Sequence, residues 1–101
     1  MEIELTKSAK RSLAYIYHEY DHRISNGVPK IKARLFETGD QVYERFISVI
    51  SDDIAELKKQ GFIKVSILHE VELLDKGIIY MEELPEDLTK DLFLFVSKLF
   101  L

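Results

Sequence analysis

Residues 57–77, LKKQGFIKVSILHEVELLDKG, contain the end of a predicted helix, two predicted strands and the start of a further helix. Gly61 favours a helix end because glycine adopts the left-handed backbone conformation at little cost. Residues 62–68, FIKVSIL, are rich in β-branched side chains and alternate in part, which is typical of a strand. Residues 71–74 predict a second short strand, and residues 69–70 are the expected tight connection. The stretch therefore predicts an antiparallel hairpin between two helices.

Helical patterns flank this hairpin on both sides. Ser51 is expected to cap a helix over residues 51–60. A shorter helix precedes it, with a break at residues 47–50, so that the two form a predicted helix-turn-helix. After the hairpin, Asp75 is expected to cap a helix whose apolar residues continue to Leu84.

Three further helices are predicted towards the ends of the chain. The first covers residues 6–24, where Thr6 is a suitable N-cap. Its apolar residues recur at helical spacing and form one stripe: Ala9, Leu13, Ile16, Tyr20 and Ile24. A short helix opened by Pro29 follows over residues 29–36, and a last helix covers residues 86–100.

The composition predicts one domain in the cytosol. The chain has 101 residues, 47% hydrophobic and 32% charged, and a chain of this length buries a substantial core. No apolar run approaches the roughly 18 residues that cross a bilayer, and the opening is too polar for a signal peptide. Without cysteine there are no disulfides and no thiolate metal sites. We expect a mainly α domain of the α+β class over residues 1–101, with its core in residues 5–84 and an added helix at residues 86–100.

Three motifs resemble winged helix-turn-helix domains. In that family a recognition helix often ends in a pattern like L-x-x-x-G-[FY]-[IV], to which LKKQGFI at residues 57–63 is similar. A wing strand often runs into L-T-x-x-G, which LLDKG at residues 73–77 matches except at Leu74. The opening at residues 5–20 is similar to that of small winged-helix proteins of Gram-positive bacteria and their phages. The resemblance covers about residues 5–84 and implies a winged helix with a two-stranded antiparallel wing and an added C-terminal helix.

The resemblance further implies a transcription regulator that binds double-stranded DNA, with the helix at residues 51–60 in a major groove. Positive charge is concentrated early in the chain. Residues 1–36 carry seven Lys and Arg against four Asp and Glu, whereas residues 37–101 carry seven against fourteen. The side chains that we expect to contact DNA are Lys30, Lys32, Arg34, Arg45, Lys58 and Lys59.

Three acidic residues of the predicted recognition helix, Asp52, Asp53 and Glu56, are expected to face the phosphates and repel them. A second hypothesis therefore stays open, a winged-helix module for protein interaction or dimerisation that does not bind DNA. In DLFLFVSKLFL, at the end of the chain, eight of eleven residues are apolar, and an apolar surface of that size indicates an interface. The expected homodimer uses Leu92, Phe93, Phe95, Val96, Leu99 and Phe100. The alternative is that this helix packs against the first helix of its own domain.

Residues 18–22, HEYDH, match the H-E-x-x-H pattern of zinc metalloproteases. Two histidines four residues apart share a helix face and can bind zinc, with the glutamate as general base. The predicted apolar stripe would however direct His18 and His22 to the opposite, solvent side, and no third ligand is indicated. We expect two solvated histidines, no metal, no other cofactor, no membrane partner and no enzymatic activity.

Overall fold

Six helices and three short strands make up the described part of the chain. The structure, a computed structural model, describes residues 5–39 and 41–98, apart from the side chains of residues 41, 42, 45, 46, 49 and 97. The elements in chain order are α1 (Lys7–Ser25), α2 (Lys30–Ala33), β1 (Leu35–Phe36), α3 (Gln41–Ile50), a 3₁₀ turn (Ser51–Asp53), α4 (Ile54–Lys59), β2 (Ile63–Val65), β3 (Val71–Leu73), α5 (Asp75–Glu82) and α6 (Glu86–Lys98). The predicted α+β class, mainly helical with a small antiparallel sheet, is confirmed.

The long helix α1 packs against most of the other elements. It begins at Thr6, whose hydroxyl oxygen accepts a hydrogen bond from the Ala9 amide at 3.1 Å. It ends at Asn26, followed by Gly27 in the left-handed region with φ of 87°. The helix predicted over residues 6–24 and its N-cap are confirmed.

The three strands form one antiparallel sheet in the order β1-β3-β2. β2 and β3 are the predicted hairpin, with Val65 opposite Val71 and Ile63 opposite Leu73. Val71 and Leu73 are fully buried and Ile63 is nearly so. One face of the hairpin therefore lies on the core, as the partial alternation of the sequence indicates.

The strand β1 differs from the prediction of one short helix over residues 29–36. The helix α2 ends at Ala33, and the Arg34 carbonyl then accepts a hydrogen bond from the Leu73 amide at 2.8 Å. Phe36, in β1, is fully buried. Pairing with β3 and burial of this ring override the local helical pattern, because a strand gains its stability from its neighbours.

The loop between β2 and β3 is wider than the predicted two-residue connection. The Ser66 amide donates to the Glu70 carbonyl at 2.9 Å, and the Ser66 hydroxyl accepts hydrogen bonds from the amides of Leu68 and Glu70. His69 has a positive φ of 65°, a conformation that a non-glycine residue rarely adopts. The loop is thus held by its own hydrogen bonds.

Two predicted helix caps, Ser51 and Asp75, have other roles. Ser51 begins the 3₁₀ turn that follows directly on α3, and α4 begins only at Ile54. Asp75 is the first residue of α5, and Leu74 occupies the N-cap position without a side-chain cap. The Asp75 carboxylate instead accepts a hydrogen bond from Arg34 at 2.7 Å. Both cap predictions are wrong, and for Asp75 the reason is that a guanidinium outcompetes a backbone amide as the partner of a carboxylate.

One core joins the helices and the sheet. Its largest fully buried side chains are Leu13, Tyr15, Ile16, Phe36, Ile50, Leu57, Phe62, Val71, Leu73 and Val96. Val96 belongs to α6, which packs along α1. The last helix therefore contributes to the same core as the predicted winged-helix region.

Gly77 lies where α5 approaches the sheet. A Cβ atom at this position would lie 2.8 Å from the Phe62 carbonyl oxygen and 3.0 Å from Leu73 Cδ1. Backbone oxygen cannot move away without shifting the strand end, so the close approach of α5 requires a residue without a side chain.

We expect Gly77→Ala to lower the free energy of unfolding by about 1–3 kcal/mol, because the added methyl group overpacks this contact. Elsewhere in a helix the same change would be stabilising by roughly 1 kcal/mol. Urea unfolding monitored by circular dichroism measures the difference. Glu82→Ala, at an exposed position of the same helix, is the control and should change stability by no more than about 0.5 kcal/mol. A Gly77→Ala variant as stable as the parent would contradict the close approach.

Candidate nucleic-acid interface

The predicted recognition helix, α4, is attached to α1 through a buried carboxylate. Asp53, in the 3₁₀ turn before α4, accepts hydrogen bonds on Oδ2 from the hydroxyls of Ser8 at 2.9 Å and Ser12 at 2.5 Å. Both Asp53 and Ser12 are buried. A buried charge is tolerated only when it is hydrogen-bonded, so these two serines, one helical turn apart, specify where Asp53 must lie.

Glu56 makes a second attachment, to the start of α1. Its two carboxylate oxygens accept hydrogen bonds from the Thr6 amide at 2.8 Å and from the Thr6 hydroxyl at 3.0 Å. A negative charge is favourable there because the N-terminal end of a helix carries a partial positive charge. The expectation that Asp52, Asp53 and Glu56 all face phosphates is therefore wrong for Asp53, which is buried, and Glu56, which is half-buried, is hydrogen-bonded to Thr6 instead; of the three, Asp52 is exposed.

The net charge of the exposed residues of α4 and of its preceding turn consequently differs from the net charge of the whole segment. Asp52, Ala55, Lys58 and Lys59 are the exposed residues of this helix and of the preceding turn after Ser51. These exposed residues comprise two cations and one carboxylate. The small Ala55 lies in sequence between Asp52 and the two lysines. The net charge of these exposed residues is positive, and Glu56 is half-buried.

Arg34, predicted to contact DNA, holds the fold together. Its Nε donates to the Leu73 carbonyl at 2.8 Å, and an NH2 nitrogen donates to Asp75 Oδ1 at 2.7 Å. Its side chain is only 16% exposed. The Lys30 ammonium lies 3.8 Å from the same Asp75 oxygen. These two members of the predicted basic cluster therefore share a carboxylate that offsets part of their charge.

The other predicted contact residues lie apart from this pair. Lys32 is exposed and lines a shallow surface cavity of about 360 Å³ together with Arg23, Leu35 and Glu37. The side chain of Arg45 lies outside the described residues. The six predicted residues thus do not all converge: Lys58 and Lys59 end α4, and Lys30 and Arg34 gather at the start of α5.

Sequence reasoning missed Arg23, which is also a structural cation. Its guanidinium donates to the Leu35 carbonyl at 2.8 Å and lies 4.4 Å from the centre of the Phe36 ring. Its only signal in the sequence is a basic residue in the last turn of a helix, which is common for electrostatic reasons alone.

The loop between β2 and β3 presents apolar side chains at its tip. Ile67 is 95% exposed and Leu68 is 67% exposed. The Tyr43 hydroxyl donates to the His69 carbonyl at 2.5 Å and so ties the loop to α3. Residues 66–70 contain no Lys or Arg, so the tip offers shape and apolar surface and no positive charge.

Several residues predicted for a dimer interface pack within the chain. The Phe93 ring lies edge-on to the ring of His18, with 6.1 Å between centroids. The Arg11 guanidinium lies 4.8 Å from the centre of the Phe95 ring, and Val96 is fully buried. These contacts correspond to the alternative in which the last helix packs on the first.

The other residues predicted for the dimer interface and the remaining leucines of α6 differ in their exposure. Leu92 is partly buried against the core, and Leu99 and Phe100 lie outside the described residues. Leu88 and Leu94 are exposed. The homodimer stays a prediction, and within the described residues its apolar surface on α6 reduces largely to these two leucines.

The HEYDH segment lies on α1 and is not uniformly solvated. His18 is half-buried beside Phe93, so the prediction that it faces solvent is wrong. His22 is exposed as predicted, with Nε2 3.2 Å from the Asn26 side-chain nitrogen. Glu19 between them is buried. Among the described residues no group of three His, Asp or Glu is placed to hold a metal ion.

Within residues 5–39 and 41–98, no helix combines the length and the apolar character needed to cross a bilayer. Comparisons of the chain with protein-family models, with curated proteins and with solved structures found no match.

We expect Asp53→Ala to lower the free energy of unfolding by about 1–3 kcal/mol, because the buried Ser12 hydroxyl and the Ser8 hydroxyl both lose their acceptor. The neighbouring change Asp52→Ala is the matched control and should alter stability by less than about 0.5 kcal/mol, since Asp52 is exposed. Urea unfolding of both variants measures the two values. Equal effects at the two positions would contradict the assignment of Asp53 as the attachment of α4.

The ion pair at Asp75 predicts a defined pH dependence. The hydrogen bond from Arg34 and the charges of Arg34 and Lys30 lower the pKa of Asp75 below its ordinary value of 3.8. Because the pKa is lower in the folded state, the pair contributes stability above about pH 4 and loses it as the pH falls through the folded-state value. The stability difference between the parent and Asp75→Asn should therefore be constant near neutral pH and shrink in urea titrations below pH 4. With Asp52→Asn as the control, no such convergence is expected, and a pH-independent difference for Asp75→Asn would contradict the pair.

Proposed function

We propose that this chain is a winged-helix protein that binds double-stranded DNA and regulates transcription in the cytoplasm. The support for the fold is the order of its elements. α3 and α4 form two consecutive helices, a β2–β3 hairpin follows directly, and α5 begins at LLDKG. This is the order that the winged-helix resemblance requires, with β1 as an added partner of β3.

The observation that carries the DNA-binding proposal is that two carboxylates, Asp53 in the turn before α4 and Glu56 in α4, are hydrogen-bonded to the start of α1. Asp53 accepts hydrogen bonds from the hydroxyls of Ser8 and Ser12. Glu56 accepts one from the hydroxyl of Thr6, the N-cap of α1. What remains outward is Lys58 and Lys59 with a single exposed carboxylate. A helix whose exposed charges are net positive is suited to the major groove, where Lys neutralises the flanking phosphates.

The roles of the individual cations follow from their surroundings. Lys58 and Lys59, at the end of α4, are assigned to contacts with DNA phosphates. Lys32 is assigned to an additional contact with the DNA backbone. Arg34 is assigned to fold stability, because its hydrogen bonds are already made to Leu73 and Asp75. Charge reversal at Arg34 would therefore test folding and not DNA binding.

The test is fluorescence anisotropy with a mixed pool of labelled duplexes at several salt concentrations. We expect a dissociation constant in the micromolar range or below at low salt. The logarithm of the association constant should fall linearly with the logarithm of the salt concentration. Lys58→Gln and Lys59→Gln should each weaken binding across all duplexes and reduce the salt slope by about one. Lys90→Gln, at an exposed lysine of α6 that pairs with Glu86 at 3.8 Å, is the control that removes the same charge and should leave the slope unchanged.

Two results would oppose the proposal. A folded protein that does not bind duplex DNA even at low salt would remove direct DNA binding. Equal losses for Lys58→Gln and Lys90→Gln would mean that binding follows net charge and not the face of α4.

The second candidate is an interaction module without DNA binding, and the exposed tip of the β2–β3 loop favours it. Ile67 and Leu68 are held outward on a loop fixed by Ser66 and Tyr43. Apolar side chains held in one place by a rigid loop suit a protein partner, since little conformational freedom is lost on binding. This candidate gains support if DNA binding fails while the protein is folded.

A further inference from the structure

A groove between the start of α1 and the helix α6 is separate from the proposed DNA surface. Its volume is about 590 Å³, within the roughly 300–1,000 Å³ of pockets that hold small molecules. We infer that this groove binds a small amphiphilic anion, a carboxylate carrying an alkyl chain. The inference goes beyond the proposed function and does not require DNA binding.

The floor of the groove is apolar and open to solvent. It is formed by Leu84, Leu88, Leu92, Leu94 and Phe95. Leu88 is 45% exposed and Leu94 is 62% exposed. Large apolar side chains left in contact with water along one surface are energetically unfavourable, and an alkyl chain that covers them removes this apolar area from water.

The rim of the groove is strongly cationic. It carries Lys7, Lys10, Arg11 and Lys98 against one carboxylate, Asp91. Among the described residues, no Asp or Glu lies within salt-bridge distance of these four cations. The chain as a whole has a net charge of -4, so this local excess of positive charge opposes the general balance and favours an anion at the rim.

Arg11 joins the rim to the floor. Its guanidinium lies 4.8 Å from the centre of the Phe95 ring, and both residues line the groove. Stacking holds the cation at the boundary between charged and apolar surface, and a guanidinium is well suited to a carboxylate. A ligand with a carboxylate at one end and an alkyl chain at the other matches both parts.

Two other occupants fit the groove less well. In a two-fold dimer the same surface meets itself, so the cations of both copies would enter one interface with a single carboxylate, Asp91, from each copy, and this excess of like charge opposes association. Duplex DNA would satisfy the cations but leave the apolar floor uncovered. The carboxylate with its alkyl chain satisfies both.

The test measures binding of dodecanoate, below its micelle concentration, by isothermal titration calorimetry and by amide chemical shifts in NMR spectra. Two further probes separate the contributions. Butanoate keeps the carboxylate and lacks a long chain, and dodecyltrimethylammonium keeps the chain and reverses the charge. We expect saturable binding of dodecanoate alone, with shift changes concentrated in α1 and α6.

The variants are matched pairs of charge removals. Lys7→Gln with Lys10→Gln should weaken dodecanoate binding about tenfold, because charge-assisted contacts to the carboxylate are lost. Lys58→Gln with Lys59→Gln removes the same charge from α4 and should leave dodecanoate binding unchanged. Duplex DNA binding, measured on the same samples, should be weakened by the pair in α4 and unchanged by the pair in α1. Failure of either proposal is then recognised independently of the other.

Several outcomes would overturn the inference. These are no saturable binding of dodecanoate, equal binding of dodecyltrimethylammonium, equal losses for the two pairs of variants, or shift changes outside α1 and α6. A dimer seen by light scattering and abolished by Leu94→Glu would assign the groove to a second copy of the chain instead.

Discussion

The hydrogen bonds from Ser8 and Ser12 to Asp53 determine how α4 is placed on α1. Asp53 is buried, and its charge requires donors that water no longer supplies. Two hydroxyls four residues apart on α1 provide them, and Glu56 adds a second fixed point at Thr6. The rotation of α4 about its axis is thereby set, and with it the identity of the residues that face outward.

The same division between internal and external charge recurs through the chain. Arg34 donates hydrogen bonds to Leu73 and Asp75, and the Arg23 guanidinium lies over the Phe36 ring. Both cations therefore make contacts within the fold. An excess of Lys and Arg in residues 1–36 therefore does not by itself describe a binding surface. Among the described residues, other cations make no such internal hydrogen bonds, and two sets of them lie at the end of α4 and on the rim of the groove between α1 and α6.

Local sequence predicted the elements whose signals are local. Thr6 caps α1, Gly61 follows α4, and the hairpin forms from the β-branched segments. It did not predict β1, because the pairing of that strand depends on Leu73, distant in sequence. The inward direction of Asp53 and the packing of His18 on Phe93 likewise depend on partners more than forty residues away. The charges of the candidate site could be identified from the sequence, but their outward or inward direction could not.

The central position of α1 has a consequence for synthesis of the chain. α1 is synthesised before its partners, because the carboxylates that accept its serine and threonine donors belong to residues 53 and 56, and further side chains that pack on it belong to α6. Contacts so distant in sequence form late and slow the folding of a domain. The apolar stripe of α1 therefore stays uncovered until these later segments have been synthesised, and in that interval the nascent chain is open to aggregation and to chaperone binding.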